Sequence, residues 1–165
     1  MQIPAKVDYG LRALLCLAVD SPQTADAIAA GQQMPSRFVG IILSELRRAG
    51  LVTSQRGPDG GFRMARPPAS VSLADVFRIL DGPLAEVRGL RPEASEYEGP
   101  AAHLQEVWVA LRANVRQVLE NITLADVLAG RFPTELEPLT ADPDAWRSRN
   151  EVLAGQPPEK ARQTS

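Results

Sequence analysis

The 165-residue sequence contains a single cysteine, Cys16, and a single histidine, His103. One cysteine excludes a disulfide within the chain and is typical of a reducing compartment. A lone histidine beside a helix start is more often a cap residue than a metal ligand. No apolar run approaches the ~20 residues of a membrane-spanning helix, and no segment resembles a signal peptide. We therefore expect a cytoplasmic protein that binds no metal, cofactor or membrane.

The sequence also lacks the motifs of common enzymes. It has no phosphate-binding glycine loop of the required form and no nucleophile elbow, and no histidine is placed to activate Cys16. Cys16 lies within an apolar helical stretch, where a cysteine is usually a packed thiol. These absences predict a protein without enzymatic activity. A redox or metal sensor that uses Cys16 or His103 is an alternative.

What the sequence does have is an uneven distribution of charge. The formal net charge is −2, yet residues 1–68 contain eight Lys or Arg against five Asp or Glu. The remainder contains ten against fifteen, whereas residues 36–66 contain six against two. A basic region on an acidic chain indicates a local site for a polyanion, and the alternative is a solvated charged surface.

Helical signals follow one another closely in the first fifty residues. They predict helices at 7–20, 24–30 and 35–49, with Thr24 as a cap and a short turn over 31–34. Two helices joined by so short a turn form a helix-turn-helix. On the third helix, apolar side chains three or four residues apart predict a buried stripe. The residues of this predicted stripe are Phe38, Ile41, Ile42 and Leu46.

A basic hairpin follows the third helix. Extended segments at 51–55 and 62–65 flank the glycine-rich turn 56–61, which is a strong signal for a β-hairpin. A helix with a basic face followed by a basic hairpin is typical of winged helix-turn-helix proteins, which address the groove and backbone of duplex DNA. The predicted fold class is therefore mainly α with a small β wing.

The second half of the chain contains one long amphipathic helix. Capping boxes at 72–75 and 123–126 predict shorter helices on either side of it. Because the chain holds no second helix of similar length to cover its apolar seam, we assign the seam to a homodimer interface; the alternative is an intrachain core helix. The seam residues, spaced 4, 3, 4, 3 and 4 apart, are Leu104, Trp108, Leu111, Val115, Val118 and Ile122.

Four segments carry a resemblance to a known family. Residues 9–14 (YGLRAL), 46–52 (LRRAGLV), 56–62 (RGPDGGF) and 72–76 (SLADV) resemble the IscR/NsrR/CymR family of bacterial winged-helix regulators, also called the Rrf-two family. The similarity extends over about residues 4–130. It implies a dimeric transcription regulator, usually a repressor, that reads a partly palindromic operator. One helix would lie in the major groove, and a wing arginine would enter the minor groove.

The sequence departs from the family pattern at two places. Members that carry a cluster often have Leu-Glu-Gln early in the recognition helix, where this chain has Val39-Gly40-Ile41. Many relatives also ligate an iron–sulfur cluster through three cysteines before the dimer helix. Residues 82–103 contain no cysteine, and thiolates are the usual ligands of such clusters. We therefore expect a different operator and regulation without a cluster.

The DNA contacts expected from this interpretation fall mainly on the third helix and the hairpin. Cations contact phosphates, and arginine and serine side chains read base edges. Gly40 leaves space for close approach to the groove, the wing glycines let the backbone lie near phosphates, and Arg56 enters the minor groove. The predicted DNA-binding residues are Lys6, Ser36, Arg37, Gly40, Ser44, Arg47, Arg56, Gly57, Gly60 and Gly61.

These patterns divide the chain into four parts. Residues 1–82 form the winged helix-turn-helix domain, and 83–101 form a linker and sensing loop. Residues 102–130 contain the dimerisation helix and a short final helix, and 131–165 form a proline-rich, partly disordered tail.

Regulation is expected to act through the loop that follows the wing domain. There Arg88 and Arg91 are candidate ligands of an acidic metabolite. The expected partners are therefore duplex DNA, a second copy of the chain, and a small-molecule or protein effector. The competing hypothesis is a winged helix that serves as a protein-interaction module and does not bind DNA.

Overall fold

The computed structural model describes residues 2–148, and the chain forms two compact units, Met1–Gly130 and Arg131–Ser165. Among residues 2–148, no helix combines the length and apolarity required to cross a membrane. The mainly helical first unit with its two-stranded sheet confirms the predicted fold class. Its elements are α1 (Ala5–Val19), α2 (Ala25–Gly31), α3 (Ser36–Arg48), β1 (Val52–Gln55), β2 (Gly61–Met64), α4 (Leu73–Leu80), α5 (Leu104–Glu120) and α6 (Leu124–Ala129).

The first four helices of this unit share one apolar core. Leu14 of α1 and Leu43 of α3 are fully buried in it, and α2 and α4 contribute Ile28 and Val76 to the same cluster. Complete burial of a side chain of this size contributes ~1.5–3 kcal/mol to folding. The core therefore holds α3 firmly against its neighbours while its outer face stays in solvent.

The face that α3 buries differs from the predicted one. Phe38 and Ile41, predicted to be buried, are 54% and 50% exposed. Two apolar stripes on this helix repeat at helical spacing, and packing against α1 and α2 selects one of them. The prediction for Phe38 and Ile41 is therefore wrong, and both side chains lie on the outer surface. The buried stripe consists of Val39, Ile42, Leu43 and Leu46.

The predicted hairpin is present as an antiparallel β1–β2 pair. Its register runs from Val52 opposite Met64 to Gln55 opposite Gly61. The segment before α2 pairs with the second strand, since the backbone N–H of Gln23 donates to the Phe62 carbonyl and the Phe62 N–H donates back to Gln23. The base of the wing is therefore anchored to the helical core.

The two predicted capping boxes are both formed. Ser72 and Asp75 cap α4, and Thr123 and Asp126 cap α6. Their helix starts pair with each other, because the Leu73 N–H donates to the carbonyl of Ile122. Ile122 thus lies beyond the end of α5 and is buried within its own chain. This position corrects the assignment of Ile122 to the dimer seam.

The long helix α5 is the least buried of the long helices in residues 2–148. It contacts α4 and the short turn Pro92–Ala94, yet none of its residues is buried. The loop before it is attached through Gln105, whose Nε2 donates to the carbonyls of Glu93 and Ser95 at 3.0 and 2.8 Å. Leu104 and Leu111 of the predicted seam are exposed.

The second unit contains α7 (Glu137–Ala141) between the short turns Thr134–Leu136 and Pro143–Trp146. The indole N–H of Trp146 donates to the Thr140 carbonyl at 2.7 Å and ties the last turn to the helix. The disorder expected farther along the tail falls outside the described residues.

Candidate nucleic-acid interface

The helix α3 and the hairpin that follows it carry a group of exposed arginines. Within residues 2–148, none of them forms an ion pair. Asp59 on the wing is the only acid in the sequence between positions 46 and 66. The group therefore presents uncompensated positive charge, which attracts polyanions. We call these residues the α3–wing arginines; they are Arg37, Arg47, Arg48, Arg56, Arg63 and Arg66.

Two of the α3–wing arginines are held by neutral groups. Nη1 of Arg47 donates to Oγ of Ser54 at 2.9 Å, which links the end of α3 to β1. Nη1 of Arg63 donates to the carbonyl of Ser21 at 3.4 Å. Neutral partners orient a guanidinium group without cancelling its charge. Both side chains therefore stay available to an anionic ligand.

Lys6 does not join this group. Its Nζ lies 2.7 Å from Oε2 of Glu45, so that α1 and α3 are joined by an ion pair. Glu45 is the only acid on α3. The geometry therefore does not support the predicted phosphate contact of Lys6, because its charge is already compensated. The same pair removes the negative charge of Glu45 from the helix surface.

The two serines predicted to read bases already have partners. The Ser36 hydroxyl donates to the Asp26 carboxylate, and the Ser44 hydroxyl donates to the Gly40 carbonyl one turn earlier at 2.9 Å. Each hydroxyl can still accept a hydrogen bond, but its proton is engaged. Arg37, which makes no hydrogen bond or ion pair within the described chain, is therefore the best placed of the predicted base readers.

Apolar side chains complete the outer face of α3, and sequence reasoning missed them. Phe38 and Ile41 project from the helix on either side of Gly40 in the sequence. A Cβ placed on Gly40 would meet no atom within 4 Å, so open space surrounds this position. The signal for this face was available, because Val39, Leu43 and Leu46 repeat at helical spacing without the two exposed residues.

Two glycines of the wing, Gly60 and Gly61, are required because the backbone around them leaves no room for a side chain. A Cβ on Gly60 would lie 2.4 Å from the Gln55 carbonyl oxygen, and one on Gly61 would lie 2.8 Å from that of Gln23. Their small size therefore closes the turn and seats the hairpin, and their approach to phosphates stays a prediction. Gly57 has a φ of +121° and open surroundings, and Arg56 beside it is exposed.

The residues present do not fit the iron–sulfur cluster that the family resemblance implies. Cys16 is half-buried on α1, and the segment 82–103 has no thiolate to offer. In residues 2–148, no three His, Cys, Asp or Glu side chains converge as a metal site would require. His103 is exposed, with Nδ1 3.1 Å from the Glu106 carboxylate. A cluster bound through three thiolates of one chain is therefore incompatible with this donor set.

Comparison with known proteins places this chain in a family. A family model described as "Rrf2: Iron-dependent Transcriptional regulator" matches residues 3–130. A putative HTH-type transcriptional regulator of Mycobacterium tuberculosis is 44% identical over 151 residues, which cover 90% of this chain and 94% of that protein. The regulator CymR of Bacillus subtilis is 34% identical over 130 residues, covering 77% and 89%.

Solved structures agree with these matches. The structure of CymR, the global cysteine regulator of B. subtilis, aligns with a TM-score of 0.67 at 32% identity over 79% of this chain and 98% of that one. T. potens IscR aligns with a TM-score of 0.64 at 28% identity over 79% and 88%. The chain therefore belongs to the Rrf2 family of winged-helix transcriptional regulators.

Proposed function

We propose that this regulator binds duplex DNA as a homodimer, represses transcription at an inverted-repeat operator, and has no enzymatic activity. It then works in the cytoplasm, where bacterial DNA lies. The α3–wing arginines carry the proposal. They place six exposed guanidinium groups without carboxylate partners, within residues 2–148, on a chain whose net charge is −2. Such a local surplus is suited to the phosphate backbone.

Three of the α3–wing arginines have separate roles in this proposal. Arg37 lies in the first turn of α3, and the N-terminal residues of a recognition helix contact base edges. Arg47, at the other end of α3, contacts phosphate while Ser54 keeps it in place. Arg56 on the wing enters the minor groove, where a narrow groove strengthens the negative potential.

The exposed apolar residues of α3 add a preference for thymine. Phe38 and Ile41 offer apolar surface to the major groove, where the thymine methyl group is the apolar feature of the base edges. Gly40 adds no side chain there, so the helix can approach the bases closely. The proposed operator therefore contains A·T pairs opposite this part of α3.

The dimer forms through the outer face of α5 in this proposal. Leu104, Val107 and Leu111 are exposed along it and recur three and four residues apart. Trp108, Val115 and Val118, the other predicted seam residues on this helix, are half-buried. A two-fold axis through this face would present two copies of α3 about one DNA turn apart, ~34 Å, and the operator would be an inverted repeat.

Regulation requires an effector that is not a thiolate-bound cluster. The description of the family names iron, but the donor set of this chain does not fit the cluster. We place the effector at the loop between α4 and α5, since that loop joins the DNA-binding elements to the proposed dimer helix.

Duplexes selected from a random pool test the DNA-binding proposal directly. Their affinity for the full chain should fall steeply as salt rises, because each neutralised phosphate contributes a slope of about −0.9 in log affinity against log salt. The selected sequences should share an inverted repeat. Weak binding with no salt dependence would contradict the proposal and would favour a winged helix that binds proteins.

A further inference from the structure

A second group of arginines surrounds a cavity far from α3 in the sequence. The cavity has a volume of about 460 Å³ and is bounded by the end of α4, the loop that follows it, and α5. Its apolar wall includes Pro83 and Leu84. The charged residues that line it are Arg78, Arg91, Glu93, Arg112 and Arg116.

Within residues 2–148, the carboxylates that pair with the arginines of this cavity are too few to balance them. Arg112 pairs with Glu93 at 2.6 Å. Arg116 and Arg78 share a single acid, Glu120, with Nε of Arg116 3.0 Å from it. Four guanidinium groups therefore face two carboxylates, which leaves two positive charges uncompensated.

Both acids are ionised at neutral pH, so the surplus of the four arginines over them is two charges. Hydrogen bonds from Arg116 and Arg78 lower the pKa of the Glu120 carboxyl. A hydrogen bond from its own backbone, with a further contribution from Arg112, lowers the pKa of the Glu93 carboxyl. This local positive surplus lies in a part of the chain that is acidic as a whole, since residues 69–165 hold ten basic and fifteen acidic side chains.

The ion pairs that join α4, α5 and the loop use three of the four arginines, so they do not explain the presence of Arg91. Arg91 has no ion pair within residues 2–148, yet it lines the cavity. Arg88, three residues earlier in the same loop, instead stacks over the ring of Tyr97 with its Cζ 5.5 Å from the centroid. The loop therefore places Arg91 in the cavity lining, whereas Arg88 stacks on Tyr97.

We propose that this cavity binds a small organic dianion, whose charged oxygens are of the phosphate or carboxylate type, and that this anion is the effector. Guanidinium forks bind such oxygens in bidentate fashion. The volume lies within the ~300–1,000 Å³ of typical small-molecule sites, and the apolar wall suits the carbon skeleton of a metabolite. A cavity of this volume is too small to enclose a nucleic-acid duplex.

The position of the cavity gives the anion a route to regulation, which rests on the proposed function. Arg78 belongs to α4 of the winged unit, whereas Arg112 and Arg116 belong to α5. An anion that contacts both helices favours one angle between the DNA-binding elements and the proposed dimer helix. That angle would set the separation of the two recognition helices on the operator.

Direct binding to the full chain without DNA tests the site. Inorganic phosphate and succinate are titrated by calorimetry and thermal shift at constant ionic strength, with chloride as the matching salt. At least one of them should bind and raise the Tm. Arg91→Ala should weaken that binding about tenfold and Arg91→Glu should abolish it, whereas Arg88→Ala should leave it within about twofold. No binding of either anion, or equal losses in the Arg88 and Arg91 variants, would overturn the site.

The response of DNA affinity tests the regulatory part separately. With the anion that binds, the affinity for a selected duplex should change at least about threefold at constant ionic strength, and Arg91→Glu should remove this change. Anion binding without any change in DNA affinity would overturn the effector role and keep the site. Anion binding by a chain that selects no duplex would overturn the proposed function and again keep the site.

Discussion

Glu45 of α3 and Lys6 of α1 lie with their charged atoms 2.7 Å apart, and each cancels the charge of the other. The pair neutralises the one acid of α3, the helix proposed to face DNA, which would otherwise repel phosphate. It also removes the lysine that the sequence suggests as a phosphate ligand. The α3–wing arginines are left as the charges that a duplex would meet.

Removing this pair should therefore affect DNA binding far less than removing one free arginine. Arg37→Ala should lower the affinity by about 1–3 kcal/mol and reduce the magnitude of the salt slope by up to about 1. The double variant Lys6→Ala/Glu45→Ala is the control, because it also removes a cation but leaves the net charge unchanged. Fluorescence anisotropy over a salt series measures the affinity and the salt slope of each variant. Equal losses in the two proteins would contradict the assigned roles.

Gly40→Ala should improve folding and impair DNA binding. Alanine in a helix interior is more stable than glycine by about 0.5–1 kcal/mol, and the new Cβ would meet no atom of the chain. If the bases lie close to Gly40, the methyl group would collide with them and the affinity should fall. Urea unfolding and anisotropy measure the two effects.

Gly31→Ala is the matched control for this substitution. Gly31 also lies in a helix with open space around its Cβ position, but in α2 and not in α3. It should leave DNA affinity unchanged. If Gly40→Ala bound DNA as well as the parent protein does, the proposed close approach of α3 to the bases would be wrong.

Ile41→Ala should change operator preference more than stability. Because Ile41 is already 50% exposed, truncation should cost less than about 0.5 kcal/mol in the free energy of unfolding. Loss of contact with a thymine methyl group should weaken the preference for one A·T pair by roughly 1 kcal/mol. Selection from a random duplex pool compares the two proteins. An unchanged consensus would exclude Ile41 from base recognition.

Leu111→Glu should dissociate the proposed dimer. A charge on the outer face of α5 cannot be buried between two helices without a large desolvation cost. Leu128→Glu on α6 is a matched control, since both leucines are 43% exposed in the single chain. Sedimentation equilibrium should give a monomer for Leu111→Glu and a dimer for both the control and the parent. A dimer in all three proteins would contradict the proposed interface on the outer face of α5.

Acidification should loosen the contact between α4 and α5. Hydrogen bonds from Arg116 and Arg78 lower the pKa of Glu120 below its ordinary value of 4.5. A lowered pKa in the folded state means that the stabilisation is complete above pH 4.5 and is lost as the pH falls through the lowered value. The urea midpoints of the parent and Glu120→Gln should therefore differ at pH 7 and converge as the pH falls from 4.5 through the lowered pKa of Glu120. A constant difference across this range would contradict the ion-pair explanation.

Much of the local structure follows from short-range chemistry that any reader of the sequence can apply. Ser72 and Thr123 each stand three residues before an aspartate, and both capping boxes form because the reciprocal hydrogen bonds need only neighbouring residues. The glycine-rich wing turn also follows locally, since Gly60 has room for no Cβ. The resemblance to the family rests partly on the wing turn and on the capping box at Ser72, and such local segments can be recognised in the sequence alone.

Contacts between distant segments depended on the tertiary structure. The choice between two apolar stripes on α3 was made by α1 and α2, and it turned Phe38 and Ile41 outward. Ile122 does not belong to the predicted seam, because its carbonyl accepts the N–H of Leu73, some fifty residues earlier in the sequence. The arginine cavity likewise joins α4, a loop and α5. Periodicity and capping act over a few residues, whereas charge pairing and burial depend on which segments meet, and only the folded chain decides that.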